Sequence, residues 1–198
     1  MVNQEAEWLT RSQKGDVDAF SSLLEMYQRP VYNLCYRMLG DPNDAEDAAQ
    51  ETFIRAFNGM KRYDNQRPFS TWLLSIAAHY CIDQIRRRRY TVLSFEDLPQ
   101  LDPPDLGPGP ETSFVMSEDQ KRVQAVLACL NPQDRAAVVM RYWYDFSYEE
   151  ISEALSLTVS AVKSRLHRSR RELAQLWMQQ NPQNKTSLER KCHESPAF

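Results

Sequence analysis

Residues 147–173 read SYEEISEALSLTVSAVKSRLHRSRREL. Ser147-Tyr148-Glu149-Glu150 is a capping box: the Ser hydroxyl takes the amide three residues on, and Glu150 returns to the amide of Ser147. It opens a short helix with Ile151, Ala154 and Leu155 as its apolar rung. Leu155-Ser156-Leu157 leaves room only for a tight turn. Thr158 caps a second helix, whose rungs Val159, Val162, Leu166, Leu173 and Leu176 recur at helical spacing. Its other faces carry Lys163, Arg165, Arg168, Arg170 and Arg171 against the single acid Glu172. This is the outline of a helix-turn-helix. A buried rung docks the second helix, and exposed donors reach bases and phosphates in the major groove. A charge stripe alone reads more plainly as a solvated basic helix; the capping box and the short turn tip the balance to DNA binding.

Working outward, Ser117–Leu130 forms an amphipathic helix with Val123, Val126, Leu127 and Leu130 on one face. Asn131-Pro132 is a cap followed by Pro at the first helical position, and that helix runs to about Tyr144. Upstream, residues 90–120 hold five of the chain's 11 Pro and seven acids, with no Lys or Arg, so this stretch reads as a semi-extended linker. The expected division is therefore a helical domain at 10–90, an acidic Pro-rich linker at 91–115, a helix-turn-helix domain at 116–178, and a disordered tail at 179–198. A linker of this kind leaves the two domains tethered rather than fused.

In the first domain Phe20, Leu23, Leu24 and Tyr27 follow helical spacing; Pro30 interrupts and is read as the start of a new helix with Val31, Leu34, Cys35, Met38 and Leu39. Gly40-Asp41-Pro42 stops it, and a third helix runs from about Asn43 through Phe57. Five acids between 41 and 54, with no base, suit the positive end of that helix. Ser70 is read as the cap of a long last helix ending in Arg86–Arg89. Those Arg, near Tyr63, Phe69, Trp72 and Tyr80, also look like a single-strand surface where rings stack on bases, although aromatics at helical spacing are more often core.

Composition narrows the function. Of 198 residues, 42% are hydrophobic and 26% charged, a globular balance, and only 5 Gly favours helices over β turns. A formal net charge of -3 excludes a uniformly basic nucleic-acid binder but leaves room for a basic patch. No apolar run approaches the ~18 residues of a membrane span, and the N-terminus lacks a signal peptide's apolar stretch. The four Cys form no CxxC pair, which argues against a disulfide scaffold or a zinc ribbon. The internal Cys read as small core residues. His79, His167 and His193 are scattered, and no catalytic motif, cofactor loop or metal-ligand set appears. The chain reads as a cytoplasmic, soluble, all-α protein and not an enzyme.

Three segments in order, DAEDAAQETFIRAF (44–57), FSTWLLSIAAHYCIDQIRRRR (69–89) and YEEISEALSLTVSAVKSRLHRSRREL (148–173), resemble the extracytoplasmic-function (ECF) group of bacterial RNA polymerase sigma factors, in the wider sigma-70 family. The likeness spans about residues 10–178. It implies a protein that binds core RNA polymerase through the beta and beta-prime subunits and directs promoter-specific initiation. The first domain would read and melt the −10 element, the second would read the −35 element, and an anti-sigma factor would control both. By the same resemblance, Asp47, Gln50, Glu51, Phe53 and Phe57 grip the polymerase clamp. Arg62, Tyr63, Arg67, Trp72, His79, Asp83, Arg86 and Arg87 face the −10 DNA, with His79 standing where the family usually has Asn. Thr158, Lys163, Ser164, Arg165, His167, Arg168 and Arg171 serve the −35 element. Two other readings stay open on the residues alone: a helix-turn-helix regulator without tight polymerase binding, and a pure protein–protein adaptor.

Overall fold

The computed structural model describes residues 2–95 and 118–180. Among them are eight α-helices, one short 3-10 turn at Met60–Arg62 and no strand, which is the all-α class expected. The helices are α1 (Val2–Gln13), α2 (Val17–Leu39), α3 (Pro42–Gly59), α4 (Phe69–Phe95), α5 (Glu118–Cys129), α6 (Pro132–Trp143), α7 (Tyr148–Ala154) and α8 (Val159–Gln180).

The caps follow the chemistry read from the sequence. Asn131 Oδ1 accepts from the Asp134 amide at 2.9 Å, and Thr158 Oγ1 accepts from the Ala161 amide at 3.1 Å. The box at α7 closes on both sides: Glu150 N donates to Ser147 Oγ at 3.1 Å, and Ser147 N donates to Glu150 Oε2 at 2.8 Å. Leu155 and Ser156 make the turn into α8, with Ser156 at φ 54°.

Four details differ from expectation. α2 passes through Pro30 without a break. The missing amide and ring clash of an internal Pro cost about 3 kcal/mol. The stripe Phe20, Leu23, Val31, Leu34, Cys35 and Met38 is buried on both sides of Pro30 and holds the helix together. α4 begins at Phe69, with Trp72 N donating to Pro68 O at 3.2 Å, so Ser70 lies inside it. It also continues past Arg89 to Phe95, since no breaker stands between Tyr90 and Phe95. α1 adds a helix ahead of residue 10, docked by Trp8 and Leu9 and by the Tyr27 hydroxyl, which donates to Glu5 at 2.7 Å. The remainder of the expected linker, from 96, and the expected tail, from 181, lie outside the described residues.

The two halves are docked, not merely tethered. α5, α6 and α7 pack against α2 and α4, and one hydrophobic core runs through both. The seam forms at the carboxyl end of α2, where carbonyls have no amide ahead of them in the helix. Gln124 Nε2 donates to the carbonyls of Tyr36 and Arg37 at 3.1 and 3.2 Å. Arg135, 5% exposed, donates to Met38 O across the seam, and to Ala128 O at 2.7 Å on its own side. Gly40 ends α2 at φ 85°, and a Cβ there would stand 3.2 Å from Gln124 Nε2. The left-handed turn favours glycine, and a side chain here would also press on the Gln124 amide. Further along, the Tyr144 hydroxyl donates to Pro30 O at 2.6 Å, and Arg67 pairs with Glu153 at 2.7 Å. Cys35 and Cys81 are buried in this core as expected, and hydrogen bonding to Cys35, then burial, pushes the Cys81 thiol far up; Cys129 is exposed instead.

Arg135→Ala should lower the urea unfolding stability by about 2–3 kcal/mol, the scale of charge-assisted hydrogen bonds. Arg135→Lys should recover less than half, because one ammonium does not span two helix ends as a planar fork does. An unchanged midpoint in the alanine variant would remove Arg135 from the seam.

Candidate nucleic-acid and partner interface

α8 sorts its side chains by depth. Val162, Leu166 and Ser169 are buried against α6 and α7, while Lys163, Ser164, His167, Arg168 and Arg171 are exposed. The five exposed groups share one broad face of the helix. Arg165 stands at its edge, half-buried, and its Nη1 pairs with Asp134 Oδ1 at 2.6 Å. Asp134 is 5% exposed and sits in the first turn of α6, where an acid also suits the helix dipole. Arg165 therefore ties α8 to α6, while Lys163, Arg168 and Arg171 around it stay exposed. Thr158 is exposed and acts as the cap.

The residues expected at the −10 strand divide in two. Tyr63 is 6% exposed and donates its hydroxyl to Arg67 O. Its ring lies 4.9 Å from that of half-buried Trp72 and 5.5 Å from that of Phe69, so Tyr63 and Trp72 form a floor under the 60–69 loop. Arg62 and Arg67 are exposed on that loop, Arg67 in its ion pair with Glu153 of α7. His79, Asp83, Arg86 and Arg87 are all exposed and follow one another at helical spacing along α4. His79 Nδ1 lies 2.8 Å from Ser75 O, and a carbonyl only accepts, so that nitrogen carries the proton. Arg88, part of the Arg86–Arg89 run read from the sequence as a strand-binding surface, instead chelates Asp44 of α3 at 2.5 and 2.7 Å and braces α4 on α3.

The acid-rich helix α3 also presents two faces. Phe53 is 8% exposed; Gln50 and Phe57 are exposed, and the Phe57 ring meets Phe20 edge-on at 5.0 Å. These three line an open apolar groove of about 1460 Å³ between α2 and α3. Asp47 and Glu51 lie on the neighbouring face outside it; Glu51 pairs with Arg55 at 2.7 Å. Sequence reasoning missed the rest of the groove wall: Tyr32 and Tyr36 of α2, Ile54 of α3 and Trp143 of α6. Ile54, an apolar residue within the acid-rich stretch of α3, is 56% exposed, and only the structure shows it. Val123 and Gln124 of α5 close the end, so both halves of the protein build the groove.

Among the described residues no cluster of metal-ligating side chains occurs, and no helix is long and apolar enough to cross a membrane.

Two family models match the chain: Sigma-70 region 2 over residues 23–91, and Sigma-70, region 4 over residues 120–173. The chain is similar to the ECF RNA polymerase sigma factor SigW of Bacillus subtilis, with 38% identity over 167 residues, 81% of this chain and 89% of SigW. It is also similar to the ECF RNA polymerase sigma factor SigE of Mycolicibacterium smegmatis, with 37% identity over 78% of this chain and 60% of SigE. The solved structure of CnrH in complex with the cytosolic domain of CnrY shares the fold, at TM-score 0.66 and 23% identity over 88% of this chain and 97% of CnrH.

The capping box makes the helix-turn-helix sensitive to acid. Glu150 is held below the ordinary glutamate value of 4.5, first by the Ser147 backbone amide and then by the Ser147 and Thr71 hydroxyls, against an opposing effect of burial. A carboxyl lowered in the folded state contributes stability above its ordinary value and loses it as pH falls through the folded one. Thermal midpoints should therefore drop as pH falls below about 4.5, and Glu150→Gln should flatten that part of the profile. Identical profiles for the two proteins would show that the box carries none of the acid sensitivity.

Proposed function

The chain belongs to the ECF RNA polymerase sigma factors of the sigma-70 family, and from that premise we propose how its surfaces divide the work of initiation. It binds core RNA polymerase and directs promoter-specific transcription by recognising the −10 and −35 elements. The observation that carries this reading is α8, a capped helix with its apolar rung buried and its cations exposed on the opposite face. On the −35 side, Lys163, Ser164, His167 and Arg168 face bases, because guanine's acceptors suit Lys and Arg and a good base contact is worth about 1–3 kcal/mol. Arg171 meets phosphate, Thr158 caps the helix, and Arg165 sets the angle of the face through Asp134.

On the −10 side, His79, Asp83, Arg86 and Arg87 follow the separated strand along α4, with Arg62 and Arg67 at the loop above the Tyr63–Trp72 floor. Arg67 meets DNA only after it leaves Glu153, so −10 binding competes with the contact between the loop and α7. Polymerase is held by α3: Gln50, Phe53 and Phe57 give apolar grip, and Asp47 and Glu51 meet basic clamp side chains. An anti-sigma factor fits the same groove, since α2, α3, α5 and α6 all wall it. The protein does no chemistry itself and works in the cytoplasm with the polymerase. Residues 10–90 and 116–178 act as the two functional domains, joined by 91–115 and followed by a tail; limited proteolysis should cut first between about 95 and 115.

Two experiments test the assignment. Asp47→Lys with Glu51→Lys should weaken capture of core polymerase while the unfolding midpoint stays near wild type; unchanged capture would sink the role of α3. Arg168→Ala should relax preference at one or two −35 positions, whereas Arg171→Ala should weaken all sequences alike and reduce the salt dependence. If both lower binding uniformly across a randomised −35 library, Arg168 does not read bases.

A further inference from the structure

Tyr148 is the first residue of α7, directly after the Ser147 cap, and its backbone is held by the closed capping box. Its ring is half-buried against the core. Two cations from different helices approach it. The Arg141 guanidinium of α6 lies 5.2 Å from the ring centroid, and the Lys163 ammonium of α8 lies 5.5 Å from it. Both distances are within the ~6 Å over which a ring's negative face attracts a cation. Arg141 is fixed further, since its Nη1 donates to Phe146 O at 2.8 Å. Among the described residues no carboxylate lies at ion-pair distance from Lys163, and its ammonium meets the Tyr148 ring. A lysine side chain is long and flexible, so a contact that holds its ammonium narrows which base it can reach.

We propose that Tyr148 is a positioning residue for promoter reading: its ring holds the Lys163 ammonium at the amino-terminal end of α8 and so sets which base that lysine addresses. The inference rests on the reading of α8 as the −35 helix. The Arg141 charge on the same ring opposes the Lys163 charge, and a guanine acceptor that takes the lysine relieves that repulsion. Lys163 is thus biased toward the groove without being locked away from it, unlike Arg165, which a buried carboxylate retains.

The experiment measures −35 preference with a randomised promoter library, using the full chain with core polymerase at one salt concentration, alongside unfolding midpoints. Lys163→Ala should flatten preference at one −35 position. Tyr148→Leu should flatten the same position about two- to fivefold, the equivalent of an exposed cation–π contact, and leave the others unchanged. Tyr148→Phe should restore the wild-type profile, because it keeps the ring face and loses only the hydroxyl. Pentafluorophenylalanine at 148 keeps the ring's size and reverses its field, so it should behave like leucine even if the leucine variant folds poorly. A wild-type profile for the pentafluoro variant, or a uniform loss at every position, would overturn the positioning role while leaving α8 as the reader. No positional change in Lys163→Ala would instead overturn the assignment of Lys163 as a reader, and this inference with it.

Discussion

The carboxyl end of α2 is where the two halves of this sigma factor are joined. A helix ends in carbonyls its own amides do not reach, and here those of Arg37 and Met38 are met by Gln124 and Arg135 from the second half. The Arg135 guanidinium also reaches the end of α5 through Ala128 O. Two negative helix ends thus face one cation in a nearly dry site, where such interactions are stronger than in water. Gly40 helps this happen: its left-handed turn takes the chain off the helix, and its lack of a Cβ leaves room for the Gln124 amide.

Much of the functional surface depends on that seam. Trp143, Val123 and Gln124 wall the groove only because α5 and α6 are seated on α2. α7 meets the 60–69 loop for the same reason, through Arg67–Glu153 and a 3.4 Å contact from Thr71 to Glu150. Glu150 therefore serves both its own helix cap and the contact between halves. Region 2 and region 4 are linked in this form by polar groups, and on the proposed −10 role of Arg67 the docked arrangement would compete with the promoter-bound one.

The cations show why charge counting alone does not define a nucleic-acid surface. Arg165, Arg88 and Arg135 look like their neighbours in sequence, yet Asp134, Asp44 and helix carbonyls hold them as braces. Paired cations add shape; those left exposed, such as Arg168 and Arg171, are the ones the proposed −35 reading draws on.

Most of the helices, the caps at Asn131, Ser147 and Thr158 and the helix-turn-helix were legible in the sequence because they depend on neighbours three or four residues apart. Ser147 with Glu150, Asn131 with Asp134, and the Val162–Leu166 rung are all local. Family membership was legible for the same reason, from three motifs in order. The continuity of α2 through Pro30 was not, since the local cost of proline is set against burial contributed by α3 and α4. Nor was the docking of the halves: Gln124 and Arg135 read as ordinary polar residues until their acceptors across the seam, 87 or more positions away in the chain, are in place. The split of α3 into a groove face with Gln50, Phe53 and Phe57 and an outer face with Asp47 and Glu51 likewise required the neighbouring helices. Hydrogen-bond direction and depth are properties of the packed chain, and they decide which residues of a motif face a partner and which hold the protein together.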